Sequence, residues 1–281
     1  MQGSGEEFRK KLMEIDEIST LPHVMVRIME IITDESSSAT DLGDEIAKDS
    51  SLTAKILKMV NSAYYGFYRE IVKVSDAVVV LGFNEIRRLS LAISVLDMFT
   101  GKDRTQYRLR FWGHSFACAA MSDILTKEWS LPGTGAFTAG LLHDIGKAVL
   151  DQYFPSMFSR VQSHMQDESL SAHEAEHTLY GFDHGDIGFW VSERWNLPVN
   201  LSEAIRYHHS PESAEEAPQL CRLVYTANIL VHEFMKVKTR GLSLTEASDD
   251  EDSVFPINRK ADIFFELENR MKDSTFLHMV E

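Results

Sequence analysis

The chain has 281 residues, 44% of them hydrophobic and 25% charged, and its formal net charge at pH 7 is −15. This is the composition of a globular protein long enough to bury a substantial core. The acidic excess argues against a nucleic-acid-binding surface, which normally shows as a basic patch or a high pI. No run approaches the roughly 20 apolar residues of a membrane-spanning helix, and the N-terminus lacks the apolar segment of a signal peptide.

Cys118 and Cys221 are the only cysteines, and both lie in apolar runs. We expect two small buried side chains rather than a disulfide, because free cysteines usually behave as small hydrophobic residues. Together with the missing signal peptide, this predicts a cytoplasmic protein. Neither a membrane nor a nucleic acid is expected as a partner.

Apolar residues recur at helical spacing through the first hundred residues. The pattern predicts helices over residues 6–18, 22–32, 41–48, 52–61, 75–81 and 84–99. Ser75 and Asn84 are the expected N-caps, since their side chains can accept hydrogen bonds from free backbone N–H groups. The segment NSAYYGFYREI interrupts the pattern. Its Tyr64 and Tyr65 either pack a corner with their rings or form a binding surface, and aromatic burial favours the packed corner.

Residues 100–106 are short and polar, and they predict a boundary between two helical halves, residues 1–103 and 104–281. Helices in the second half are predicted over residues 107–127, 134–150, 155–166, 170–180, 184–195, 201–209, 218–236 and 258–272. The acidic run of residues 245–253 indicates a solvated loop. Strand-like alternation of convincing length is missing, so the sequence predicts an all-α fold.

The stretch AFTAGLLHDIGK places an ionisable pair, His143 and Asp144, among apolar and small residues. Burying such a pair is costly unless something compensates it. A metal centre would do so, because imidazole nitrogen and carboxylate oxygen can both ligate, and so would a structural hydrogen-bonded pair. A motif this short also occurs by chance, so the choice between a metal centre and a hydrogen-bonded pair depends on the rest of the chain.

Further histidines lie on the apolar stripes of their predicted helices, namely His114, His184, His208 and His209. Spacings of three, four and seven residues direct these side chains inward, and His114 falls in line with Cys118. A buried imidazole needs a partner, and one shared cation would satisfy several imidazoles at once. A nitrogen and oxygen donor set without cysteine suits iron, manganese, zinc or cobalt and excludes a thiolate zinc site. The other histidines after residue 100 are interpreted as surface or packing residues: His164, His173, His177, His232 and His278.

The order His114, His143-Asp144, His184, His208-His209 resembles the HD superfamily of metal-dependent phosphohydrolases. More specifically, LPHVMVRIMEI, DSSLTAKILKMVNSAYYG, LGFNEIRRL, LLHDIGK and FDHGDIGFWVSERWNLPVNLSEAIRYHHSPE together resemble HDOD domains over about residues 21–212. The resemblance implies a multi-helix, HD-like bundle with an N-terminal helical subdomain. It also implies a bacterial signalling or regulatory module, a family in which many members have lost the metal ligands.

Two departures from the active HD enzymes bear on catalysis. HD hydrolases place a final aspartate on a late helix, in a context similar to LVYTANILVHEF, where this chain has Asn228. An amide can ligate through its carbonyl, but it carries no charge and cannot act as a base. The GYP tripeptide of HD-GYP phosphodiesterases is absent as well, because Ser210-Pro211-Glu212 follows the paired histidines. The expected function is therefore a non-catalytic or weakly catalytic module that binds a signalling protein.

The resemblance implies a divalent transition-metal centre of one or two ions, with iron or manganese favoured over zinc. Asp144 is the expected bridge, because its two oxygens can contact two ions. The alternative is a metal-dependent phosphohydrolase or phosphodiesterase that acts on a nucleotide or cyclic dinucleotide, with Asp144 and Lys147 as catalytic residues. Lys147 would contact phosphate there, whereas without the resemblance it reads as a solvated lysine at a helix end. The implied metal ligands are His114, His143, Asp144, His184, His208, His209 and Asn228.

Overall fold

The computed structural model describes residues 2–19, 23–33, 37–61, 68–99, 106–131, 135–241 and 257–272. Every regular element in these residues is helical, which confirms the predicted all-α class. None of the described helices is long and apolar enough to cross a bilayer. By their contacts, the described residues divide into two compact units, residues 2–19 with 110–272 and residues 23–109.

The described residues contain sixteen α-helices, and a 3-10 turn at Pro211–Ser213 precedes the fifteenth. Their bounds are α1 (Gln2–Met13), α2 (Asp16–Ser19), α3 (His23–Thr33), α4 (Ala39–Ala47), α5 (Ser50–Val60), α6 (Val74–Leu81), α7 (Phe83–Phe99), α8 (Gln106–Glu128), α9 (Ala136–Leu142), α10 (Ile145–Tyr153), α11 (Pro155–Glu168), α12 (Ala172–Tyr180), α13 (His184–Arg194), α14 (Val199–Arg206), α15 (Pro218–Thr239) and α16 (Ile257–Lys272).

Polar side chains fix where several helices begin. Ser38 and Asp41 form a reciprocal capping box at the start of α4, and Asp49 accepts the N–H of Leu52 at the start of α5. Such caps satisfy backbone donors that have no partner within the helix. Ser75 was predicted to cap the next helix, but it lies inside α6, because that helix already begins at Val74.

The unit of residues 23–109 has an aliphatic core. Its fully buried side chains include Ile28, Leu42, Ile46, Ile56 and Ile86. Asn61 follows α5 and holds the returning chain: its side chain donates to the carbonyl of Ile71 and accepts the N–H of Ile71, both at 2.7 Å.

Three sequence predictions lie outside the described residues and stay predictions: the corner with Tyr64 and Tyr65, the boundary at residues 100–105, and the acidic loop of residues 245–253.

The N-terminal helices pack within the other unit. The ring centroid of Phe8 lies 4.6 Å from that of Phe154 and 4.7 Å from that of Phe182. The indole N–H of Trp195 donates to the carbonyl of Ile18 at 2.9 Å. These aromatic contacts join residues 2–19 to the later helices, which is why the two are grouped by contacts. The predicted division at residues 103 and 104 stays a prediction. Residues 6–18 also form two helices, not the single one predicted.

Replacing Phe8 by alanine is expected to destabilise the protein by about 3 kcal/mol, as truncation of a buried aromatic side chain usually does. The free energy of unfolding from denaturant titration measures the effect. Phe265→Ala is the matched control, since that side chain is 62% exposed. Equal destabilisation by the two substitutions would contradict the aromatic anchoring of α1.

Helix α16 docks on the same unit, as its apolar spacing predicted. Phe264 is fully buried and meets Phe234 of α15 edge to face, with ring centroids 5.6 Å apart. Ion pairs flank this contact. Arg259 binds Glu128 of α8 at 2.8 Å, and Lys260 pairs with Glu233.

Candidate metal centre

His143 and Asp144 occupy a break between two helices. A single helix over residues 134–150 was predicted, but α9 ends at Leu142 and α10 begins at Ile145. The Nδ1 atom of His143 lies 2.7 Å from the carbonyl oxygen of Gly140, and Asp144 has φ −97° and ψ 11°, outside the helical range. Both side chains are buried, with exposed fractions of 0% and 2%.

Three of the other inward histidines also stand at helix ends, whereas His114 lies within α8. His184 is the first residue of α13, directly after the N-cap Asp183, whose carboxylate accepts the N–H groups of Gly185 and Asp186. His208 and His209 were predicted on a helix, but α14 ends at Arg206, so both follow it. The structure thus brings these ligands together by ending helices at one place.

Four donors form a first group: Asp144, His184, His208 and His209. The Nε2 atom of His184 lies 3.2 Å from that of His208 and 3.0 Å from that of His209. Asp144 Oδ1 lies 3.2 Å from His184 Nε2 and 3.5 Å from His208 Nε2. Donors that share one ion at bond lengths of about 2.1 Å lie roughly 3.0 to 3.4 Å apart. The spacing therefore fits a single transition-metal ion.

The hydrogen bonds of the ring nitrogens also fit a cation. His208 Nδ1 lies 2.7 Å from the carbonyl oxygen of Ile205, and His143 Nδ1 faces Gly140 in the same way. A carbonyl oxygen only accepts, so each Nδ1 carries the hydrogen and the Nε2 of a neutral ring presents a lone pair. Buried His143 Nε2 and Asp144 Oδ1 have no hydrogen-bond partner. Converging lone pairs of this kind are what a bound cation satisfies.

The second oxygen of Asp144 faces another group. Oδ2 lies 3.4 Å from His143 Nε2, 3.8 Å from His114 Nε2 and 2.8 Å from Lys147 Nζ. Lys147 is therefore bound to the centre, and its interpretation as a solvated lysine at a helix end is wrong. That Asp144 bridges two ions stays a prediction, but its two oxygens do face different donors.

Cys118 was left out of the predicted centre, and the structure places it there. Its Sγ lies 3.4 Å from His114 Nε2, and His114, Cys118 and His143 form a second group of donors within 4.8 Å of one another. Asn228 is buried on α15, and its Oδ1 lies 4.0 Å from the same sulfur. The signal was present in the sequence, because His114 and Cys118 are four residues apart on one helix face.

Burial and neighbouring charges together shift the pKa values of the groups at this centre. It lowers the pKa of His143 well below its ordinary value and that of His114 to about 4, so both rings are neutral. Burial also opposes the charge of Asp144, but His143 and Lys147 outweigh it and hold the pKa of that carboxyl well below its usual range. Burial opposes a charge on His184 as well, yet the Glu176 carboxylate raises its pKa to about 9.

Three neighbours of the ligands were missed by sequence reasoning. Glu176, itself buried, accepts the backbone N–H of His184 at 2.8 Å and lies 2.6 Å from its Nδ1. A carboxylate behind a histidine fixes the ring and its tautomer, as second partners of metal ligands do. The ring of His173 stacks on that of His209 with centroids 4.2 Å apart, and the ring centroids of His232 and His114 lie 4.7 Å apart. Both were interpreted as surface or packing residues, and the rings against which they pack are those of two implied ligands.

Glycines let the ligand-bearing helices approach to backbone contact. A Cβ on Gly146 would lie 2.0 Å from the carbonyl oxygen of His184. One on Gly188 would lie 2.5 Å from the Cγ2 methyl group of Ile205. A Cβ on Gly140 would lie 2.7 Å from the carbonyl oxygen of Cys118. Gly140 and Gly146 both belong to the stretch AFTAGLLHDIGK, whose glycines therefore permit close packing on both sides of the His143-Asp144 pair.

The chain beyond the paired histidines is held by one carboxylate. Glu203 of α14 accepts three backbone N–H groups at 2.7 to 3.1 Å, those of residues 215–217 just before α15. Hydrogen bonds to a charged acceptor each contribute about 1.5–3 kcal/mol.

Glu203→Gln should lower the free energy of unfolding by about 2 kcal/mol, because the amide would turn an N–H donor toward N–H groups. Thermal or denaturant unfolding measures this loss. Glu212→Gln is the control, since Glu212 is exposed on the 3-10 turn. If Glu203→Gln were as stable as the control, the carboxylate would not hold this segment.

Two known proteins are similar to this chain in sequence. An uncharacterised protein of Treponema pallidum (strain Nichols) is 26% identical over 220 residues, which cover 77% of this chain and 42% of that protein. Ribonuclease Y of Thermus thermophilus is 30% identical over 112 residues, which cover 40% of this chain and 15% of that protein. The chain thus spans less than half of the length of either relative.

A solved structure of similar fold and a family model also match this chain. The solved structure of a candidate phosphohydrolase from Shewanella amazonensis SB2B has a TM-score of 0.76 to this chain at 22% identity, and the likeness covers 97% of each chain. At that identity it concerns the fold alone. The model of the HDOD domain family matches residues 18–211, more than half of the sequence. The chain therefore belongs to the HDOD domain family.

Proposed function

We propose that this chain is a bacterial regulatory HDOD module in which a divalent cation stabilises the arrangement of helices that a signalling protein binds. The convergence of imidazole Nε2 atoms on Asp144 carries the proposal. These donors are spaced for an ion, and carbonyl and carboxylate partners behind three of the rings fix their orientation. Binding energy at a site that exists only in the folded state is folding energy.

The residues around Asp144 favour regulation over turnover. Asn228 stands where the HD hydrolases resembled by this sequence have a ligating aspartate, so the centre has one negative charge fewer. The ammonium group of Lys147 is bound to Asp144 Oδ2 at 2.8 Å. The missing charge weakens the binding of a second divalent cation by nitrogen and oxygen donors alone.

A phosphohydrolase is the second candidate, and the retained histidines favour it. A divalent cation at such a site supplies Lewis-acid polarisation of a phosphoryl oxygen and makes a nearby water more acidic. Lys147, with its side chain 19% exposed, would hold a phosphate oxygen of a nucleotide or cyclic dinucleotide. The descriptions of two relatives, a ribonuclease and a candidate phosphohydrolase, support this reading.

Measuring both the bound metal and the hydrolysis of a phosphodiester distinguishes the two functions. The protein is purified without chelator, its metals are quantified, and it is then incubated with a generic phosphodiester. We expect bound iron, manganese or zinc and no turnover above that of the chelated protein. Turnover that is lost on chelation and restored by metal would make the chain a phosphohydrolase. A protein without metal that gains no thermal stability from Mn²⁺, Fe²⁺ or Zn²⁺ would contradict both functions.

A further inference from the structure

We propose that Cys118 is a thiolate ligand for a second and softer cation, which it would share with His114, His143 and Asp144. This inference rests on the proposed metal centre and specifies its second position. The first position, with donors from His184, His208 and His209, contains no sulfur. The two positions would therefore select different metals.

The distances suit such an ion. Cys118 Sγ lies 3.4 Å from His114 Nε2, and both atoms lie within 4.8 Å of a ring nitrogen of His143. A tetrahedral ion with a metal–sulfur bond of about 2.3 Å and a metal–nitrogen bond of about 2.1 Å holds the two donors roughly 3.6 Å apart. Asp144 Oδ2 lies 3.8 Å from His114 Nε2 and 3.4 Å from His143 Nε2, so it faces both nitrogen donors of this position.

An unpartnered buried atom points to the same place. His143 is fully buried, its Nδ1 faces Gly140, and its Nε2 has no hydrogen-bond partner. A buried ring nitrogen without a partner is costly, and most native structures avoid it. A cation between His114, Cys118 and His143 would satisfy this atom.

Burial and then Asp144 raise the pKa of the Cys118 thiol, so it is the charge of a bound cation that would favour the thiolate. Asn228 brings a neutral oxygen within 4.0 Å of Cys118 Sγ, at a position where an aspartate would bring a negative charge. A thiolate at Cys118 returns that charge to the second position. The protein's own residues therefore compensate for Asn228 with a softer donor.

Binding would exchange a proton for the cation. The Cys118 thiol loses its proton to solvent as the sulfur–metal bond forms, and no electron is transferred. Thiolate donors favour zinc, cobalt or cadmium over manganese and magnesium, which prefer oxygen. The second position is therefore expected to discriminate between these two classes of ion.

The test uses Co²⁺ and Cd²⁺ as probes of the 281-residue chain. Metal-free protein is titrated while thiolate-to-metal charge-transfer absorption is recorded, and bound metal per chain is measured after gel filtration. Cys118→Ala and Cys118→Ser are compared with Cys221→Ala. Cys221 is the matched control, because it is the only other cysteine and is also fully buried.

We expect two ions per chain and a charge-transfer band in the wild type and in Cys221→Ala. Both Cys118 variants should bind one ion and show no band. A band that survives in the Cys118 variants, or a single ion with no band in the wild type, would overturn the inference. The single-ion result leaves the proposed function intact, whereas a wild type that binds no ion would remove both.

Discussion

Asp144→Asn is expected to lose its bound metal and all of the thermal stabilisation that added Mn²⁺ or Zn²⁺ gives the wild type. The carboxylate is the one donor that faces both groups of histidines, and an amide keeps its shape but not its charge. A ligand that binds only the folded state stabilises it by about 2.7 kcal/mol at 100 times its Kd, and by about 4.1 kcal/mol at 1,000 times. The metal-dependent rise in Tm should therefore vanish in the variant.

Differential scanning calorimetry with and without metal gives this difference directly. Because each protein is compared with its own metal-free form, any change that the substitution makes to the metal-free stability cancels. Asp167→Asn is the matched control, since Asp167 is exposed on α11. A variant at Asp144 that binds metal as tightly as this control would place the cation elsewhere.

Gly146→Ala is expected to have the second large effect, although residue 146 bears no ligand. The new Cβ would lie 2.0 Å from the carbonyl oxygen and 2.8 Å from the carbonyl carbon of His184, where only backbone could give way. Helix α10 would have to move from α13 by more than about 1 Å, whereas metal–ligand distances tolerate about 0.2 Å. We expect metal affinity to fall at least tenfold and stability to fall by about 1–3 kcal/mol, the usual cost of overpacking.

Gly5→Ala is the control for this substitution. Gly5 lies in α1, and a Cβ there would meet Phe182 at an ordinary 3.7 Å. Alanine favours a helix over glycine by about 1 kcal/mol, so the control should be as stable as the wild type or slightly more stable. Metal titration followed by calorimetry separates the variants. Normal metal affinity in Gly146→Ala would mean that α10 and α13 can separate without moving His184 from Asp144.

Helical periodicity predicted most of the fold, because apolar spacing reports which face of a helix is buried. It predicted α8 and α15 to within a few residues, and it placed His114 and His184 inward. It failed at the break between α9 and α10. The residues of that break are themselves apolar or ligating, so the periodic pattern runs through His143 without a visible interruption.

The partners of the ligands were harder to predict, since they depend on contacts distant in sequence. Glu176 reaches His184 across the connection between α12 and α13, and no local pattern marks such a residue. His232 meets His114 across more than a hundred residues. Cys118 differs, because its spacing from His114 already put both on one face, and only the assumption of an oxygen and nitrogen donor set left it out.

The distribution of the ligands along the chain has a consequence for how the protein opens. Asp144, His184 and His208 are separated by 40 and 24 residues, and the segments between them contain α10 to α14. A cation held by all three would join both segments at one point of the folded protein, and it would be released only when its ligands separate. Amide hydrogens of these five helices would then exchange together in the loaded protein, and chelation would let each helix open by itself.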